Sequence, residues 1–172
     1  MTGKNDKQFL RDVAEMLDNV LQYFIDNAPS TVSHPDILLF LEMRKPTGDP
    51  NLRTLNLHHG INIPDSFMQI IERCMLDKDA DDSWELKDPH DGTVREVVSA
   101  KELWQRVLDI RMQTGEPYIH FIDTSNRTMP EFQKKLGLSI RQSNLCSEII
   151  LPTDKERTAV RCLSSLNLAA LS

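Results

Sequence analysis

Cysteine is scarce in this chain of 172 residues: Cys74, Cys146 and Cys162 are the only three, with no C-x-x-C pair among them. That spacing excludes a disulfide framework and a cysteine-rich zinc site, and makes a reducing, cytoplasmic setting the default expectation. Glycine is nearly as sparse, at six residues, and none forms the phosphate-cradling loop of a P-loop or dinucleotide site. No apolar run approaches the roughly 20 residues of a membrane span. The opening "MTGKNDKQFL" has no apolar segment of the secretory kind. A net charge of −6 removes the basic footprint on which nucleic-acid binding rests. The five histidines make no H-E-x-x-H pattern, and adjacent His58 and His59 point to opposite faces of an extended segment, against a shared metal. No metal, cofactor, nucleic-acid partner or membrane partner is expected.

What remains is the composition of an ordinary globular protein, 40% hydrophobic and 27% charged, long enough for one domain over 1–172. Phe9, Leu10, Val13, Met16, Leu17, Val20, Leu21, Phe24 and Ile25 recur at helical spacing and predict a helix over 6–28. A second helix is expected from Ser33–Pro35 through "DILLFLEMR", buried on more than one side. "TLNLHHGINI" reads as a strand or two short ones broken at Gly60, and Pro64 and Asp65 open a helix carrying Phe67, Ile70, Ile71, Cys74 and Met75. "DKDADD" lacks the glycine and terminal glutamate of a calcium loop and reads as a solvated turn. "SWELKDPHDGTVREVVS" predicts a solvated hairpin. Ser99 and Glu102 form a capping box before a helix that Gly115 stops. "PYIHFID" reads as a strand, "NRTMPEFQKKLG" as a loop with one short helix, and "SNLCSEIIL" and "TAVRCLSSLNL" as two closing strands. Trp84 and Trp104 are read as core anchors. Helices alternating with short apolar strands favour an α/β fold with some parallel pairing.

One stretch, "RQSNLCSEIILP", calls for a chemical account. Asn144, Cys146 and Glu148 stand at i, i+2 and i+4, so an extended segment turns an amide, a thiol and a carboxylate to one side. A buried cysteine between two solvated polar neighbours satisfies this pattern; so does an active site.

The strings "TGEPYIHFIDTSNR", "RQSNLCSEIILPT" and "CLSSLNL", with "HPDILLFLEMRKPTGDPNLRTLNLHHGINIPDSFM" upstream, resemble the catalytic large subunit of ribonucleotide reductase, in family order over roughly residues 34 to 171. The resemblance implies part of a ten-stranded α/β barrel made of two half-barrels, with a finger loop carrying the radical cysteine. It assigns Cys146 to the thiyl radical that takes hydrogen from the ribose 3′ carbon. Glu148 becomes the carboxylate that accepts the 3′-hydroxyl proton, and Asn144 the amide that hydrogen-bonds substrate. These are three groups that must meet one sugar.

Two departures accompany the resemblance. The family's redox cysteine stands immediately before the residue matching Cys162, and here that position is Arg161. The other member of the redox pair lies upstream of the "HPDI" region, where this chain has no matching strand. The stretch "NDKQFLRDVAEMLDNVLQYFIDNAP" resembles the helix that follows "CLSSLNL" in the family, yet here it comes first, as in a permuted piece joined near Pro29 to Ser33 to a barrel core over 34–172. Tyr23 and Tyr118 form no tandem relay pair. Three readings follow: a barrel fragment inactive alone, a piece of a split reductase active with a complementing chain, or a self-associating module that pairs through an exposed half-barrel edge.

Overall fold

The computed structural model describes residues 31–48, 51, 53–55, 57–144, 147–154, 156–160, 162, 164 and 167. The helix expected over 6–28, Cys146 and Arg161 lie outside the described residues.

Thr31 forms a parallel bridge with Asn62, and the Val32 N–H donates to the Asn62 carbonyl at 3.3 Å. The turn that follows takes up the backbone as far as Asp36, whose N–H donates to His34 Nδ1 at 3.1 Å. Helix α1 is therefore confined to Ile37–Glu42, shorter than the expected run through "DILLFLEMR". It buries one face, Ile37 and Leu41, while Leu38 and Leu39 are exposed, so the reading of burial on several sides is corrected.

Strand β1, Gly60–Ile63, begins at the glycine rather than breaking there. Ile61 and Ile63 enter the core, and Asn62 faces the other way. Helix α2, Asp65–Leu76, buries Phe67, Ile71 and Cys74 at helical spacing and leaves Met75 in solvent. Its first turn is capped from a distance: the Asp65 N–H donates to Asp123 Oδ2 at 2.7 Å, because Pro64 has no side-chain acceptor.

Strands β2, Ser83–Lys87, and β3, Val94–Ser99, make the expected antiparallel hairpin. The hairpin is less solvated than expected, since Leu86 is fully buried and Trp84 packs against the core while donating its indole N–H to the Val32 carbonyl at 3.1 Å. Helix α3, Ala100–Thr114, starts at Ser99, whose Oγ accepts from the Glu102 N–H at 3.1 Å, and stops at Gly115 in the left-handed region with φ +79. Replacing Ser99 with Ala should cost about 1 kcal/mol of unfolding free energy. An unchanged urea midpoint for that variant would refute the capping role.

Strand β4, Tyr118–Phe121, pairs parallel with β1 in the register Asn62↔His120, across a connection that contains α2, the hairpin and α3. Two strands alone are marginal; these are held because α2 and α3 pack over Ile61, Ile63, Phe67, Leu103, Val107 and Ile110 in one core. Two short helices follow where one was expected: α4, Ile122–Thr128, and α5, Glu131–Lys135.

The first closing strand does not form among the described residues, and the second, over 158–168, lies in large part outside them. In the first, Asn144 turns the chain back on itself; ahead of the second, Asp154 and Arg157 make an isolated bridge. An apolar strand needs a neighbour for its N–H and C=O groups, and none of the four described strands pairs with the first segment. The described architecture is α/β with parallel pairing and no closed barrel, consistent with part of one. No described helix is long and apolar enough to cross a membrane.

Candidate active site at the Asn144–Glu148 loop

The C-terminal ends of β1 and β4 carry a polar pair, Asn62 and His120, on the side opposite Ile61 and Ile63. His120 Nδ1 lies 2.8 Å from Asn62 Oδ1 and His120 Nε2 lies 2.7 Å from Ser125 Oγ on α4. The Asn62 amide nitrogen donates to the Arg141 carbonyl at 2.9 Å. Asn126, also on α4, holds the preceding residue from both sides: its Nδ2 donates to the Ile140 carbonyl at 2.9 Å and its Oδ1 accepts from the Ile140 N–H at 2.8 Å.

Three residues further on, the chain reverses. The Ser147 N–H donates to the Asn144 carbonyl at 3.0 Å, and the Asn144 N–H donates to the Ile149 carbonyl at 3.1 Å. Asn144 Oδ1 accepts from the Ile149 N–H at 2.9 Å, and Asn144 Nδ2 donates to Glu148 Oε2 at 2.9 Å. Ser147 sits at φ +63, a left-handed conformation that costs an L-residue roughly 1 kcal/mol and sharpens the turn. Asn144 and Glu148 are thus brought together by a turn, and not on one face of a strand as their spacing had implied. Cys146 falls between them in sequence and outside the described residues. Cys162 is exposed, and Cys74 is buried in α2 as core packing.

An open cleft of about 290 Å³ adjoins this loop, lined by Ser125, Met129, Pro130, Ile140, Ile150 and Leu151 among others. Its volume is at the lower limit of ordinary ligand pockets, about 300 Å³.

Sequence reasoning missed a second polar cluster, on the loops that lead into β1 and β4. Glu116 is buried; its Oε1 lies 2.7 Å from His58 Nδ1 and its Oε2 accepts the His59 N–H at 2.9 Å. Arg44 Nε stands 3.0 Å from Glu116 Oε2, in ion-pair contact, and Arg44 Nη1 donates to the carbonyls of Thr54, Leu55 and Leu57. His59 stacks on Phe40 at 4.2 Å and shares a 2.8 Å hydrogen bond with Thr54 Oγ1. Burial alone raises the Glu116 carboxyl, but the His59 N–H, His58 and Arg44 together hold it below the ordinary carboxylate value. Burial lowers His59, the stronger influence over the opposing Glu116 charge. His58 is exposed and His59 buried, so the two rings do diverge, although they lie in a loop and not a strand. The only sequence signal of this cluster was "HH" with a lone glutamate in "TGEP".

The ribonucleotide reductase barrel domain matches residues 29–172. The ribonucleoside-diphosphate reductase large subunit of Invertebrate iridescent virus 6 is 60% identical over 114 residues, 66% of this chain and 12% of that protein. That of Invertebrate iridescent virus 3 is 47% identical over 184 aligned positions, 80% of this chain and 29% of that protein. That of Caenorhabditis elegans is 35% identical over 150 residues, 78% of this chain and 19% of that protein. This chain belongs to the ribonucleotide reductase large-subunit family, in its barrel domain. It spans 29% or less of the length of these relatives.

Proposed function

We propose that this chain carries one part of a nucleotide-reducing site and does not turn over by itself. The observation that carries the reading is the 2.9 Å bond between the Asn144 amide and the Glu148 carboxylate, on a loop inside the family match. In this reading Cys146 is the radical cysteine, Glu148 accepts the 3′-hydroxyl proton of a ribonucleotide, and Asn144 fixes Glu148 and the sugar by hydrogen bonds. Loss of the 2′-hydroxyl consumes two electrons, which the family draws from a cysteine pair. The expected position of one of that pair is Arg161, a side chain that cannot supply them. The small, open cleft beside the loop supports the same conclusion, because a nucleotide needs further walls around it. Large apolar side chains left in solvent, Met75, Leu76 and Met112, favour a covering partner: a second copy or a complementing reductase piece. The permuted position of the segment 6–28 belongs to the same proposal, since the family match begins only at residue 29.

The test has two parts. With this chain as sole catalytic subunit, a radical-generating subunit and a dithiol, no deoxyribonucleotide should form from a nucleoside diphosphate; product would overturn the claim of inactivity. With a complementing chain that supplies the rest of the barrel and its redox cysteines, Glu148→Gln should lower turnover by roughly 10²–10⁴-fold. Full turnover by that variant would remove Glu148 from the chemistry. Thiol labelling as a check on Cys146 requires a Cys162→Ser background, because Cys162 is exposed.

A further inference from the structure

The loop that carries Asn144 and Glu148 is anchored only a few residues before it begins, and the anchors have a fixed polarity. The Arg141 carbonyl can only accept, so Asn62 must present its nitrogen there and its oxygen to His120. His120 must then donate through Nδ1, and its Nε2 accepts the hydroxyl hydrogen of Ser125. The reverse polarity would turn the Asn62 oxygen toward the Arg141 carbonyl, two acceptors face to face. Burial lowers His120 and keeps the ring neutral near pH 7, as this arrangement requires. One residue earlier, Asn126 clamps both backbone groups of Ile140.

We infer that Asn62, His120, Ser125 and Asn126 are positioning residues for the nucleotide-reducing loop, a hydrogen-bonded latch that holds Ile140 and Arg141 to β1 and α4 and so fixes where Asn144 and Glu148 stand. The inference rests on the reading of that loop as the reductive site. The latch acts through the backbone of Ile140 and Arg141, ahead of the loop that carries Asn144 and Glu148. Without it the turn from Asn144 to Ile149 opens more readily and loses its bearing on the strand ends, and a displacement of about 1 Å in such a group costs on the order of 100-fold in rate.

The experiment uses the whole chain, labelled with ¹⁵N, and the near-isosteric variants Asn62→Asp and Asn126→Asp. Each variant fills the same space, so a space-filling role would leave the loop unmoved. Amide exchange should accelerate about tenfold at Ser147 and Ile149 in both, with the amides of α3 unchanged. Long-range ¹H–¹⁵N spectra of the unaltered chain should show His120 neutral with its proton on Nδ1. Loop exchange within twofold of the unaltered chain overturns the latch, as does a proton on Nε2 of His120, or a loop unprotected from the outset. If an aspartate variant fails to fold, Ser125→Ala, which removes the hydroxyl that donates to Nε2, should give the same loop acceleration, and an unmoved loop again overturns the latch. Exchange results do not depend on turnover, so an unmoved loop refutes the latch alone, whereas an active Glu148→Gln enzyme refutes the reductive reading alone.

Discussion

Phe67→Ala should be the most destabilising single truncation in the described core, lowering unfolding free energy by about 3–5 kcal/mol. The ring is fully buried on α2 and packs edge-on against two indoles, Trp84 at 5.0 Å with planes 79° apart and Trp104 at 6.2 Å and 68°. Each such aromatic pair contributes about 0.5–1.5 kcal/mol beyond the area it buries. The site cannot collapse easily, because Phe67 is the point at which α2, the hairpin and α3 meet, and each of the three is fixed elsewhere. Domains commonly hold only 5–15 kcal/mol in total, so the variant should unfold at a much lower urea concentration, with Tm falling by roughly 10 °C. Both tryptophans should change emission in the native baseline. A loss under about 1 kcal/mol, with tryptophan emission unchanged, would mean that the three elements do not share this core.

Much of that core could be read directly from the sequence. The helical spacing of Phe67, Ile71 and Cys74, the hairpin around "HDG", and the Ser99 and Gly115 caps are local signals, and each stands where local chemistry put it. The parallel pairing of "GINI" with "YIHF" was legible as a class of fold but not as a register, because parallel strands are joined by a long connection that leaves no local mark. The first closing segment failed for a related reason. "SNLCSEIIL" has the apolar, β-branched composition of an inner strand, but composition cannot supply the neighbouring strand that its backbone needs. Asn144, whose side chain competes for backbone hydrogen bonds, supplies a turn instead.

The candidate site divides in the same way. The meeting of Asn144 with Glu148 was legible because both lie in one short stretch. The latch residues Asn62, His120, Ser125 and Asn126 come from β1, β4 and α4, and only the fold brings them to Ile140 and Arg141. His59 and Glu116 are 57 positions apart in sequence and were equally invisible. "HHG" and "TGEP" meet only because the strands that follow them pair in parallel.

That second cluster sets the other large effect. Glu116→Gln keeps the size of the side chain and removes its charge, which should cost about 3 kcal/mol at neutral pH, since it leaves the Arg44 guanidinium near the interior without its counter-charge. Loss of the bond from Glu116 also frees the loops ahead of β1 and β4 at once, because the one carboxylate holds His58, the His59 backbone and Arg44 together. The pH dependence follows from the direction of each shift. His34, His59 and His120 are all lowered from 6.5, each chiefly by burial, so the unfolded chain takes up protons first. Stability of the unaltered chain should therefore fall as pH drops below about 6.5. Glu116 is lowered from 4.5, so its contribution is complete above that value and is lost as pH falls through the folded carboxyl's own value. The gap between the unaltered chain and Glu116→Gln should accordingly persist from neutral pH to about 5 and shrink below about 4.5, while the decline due to the histidines persists in both. Urea titrations at several pH values decide the matter. A gap that does not shrink as pH falls below about 4.5, or a variant as stable as its parent at pH 7, would show that Glu116 is not held as an ion beside Arg44 and His58.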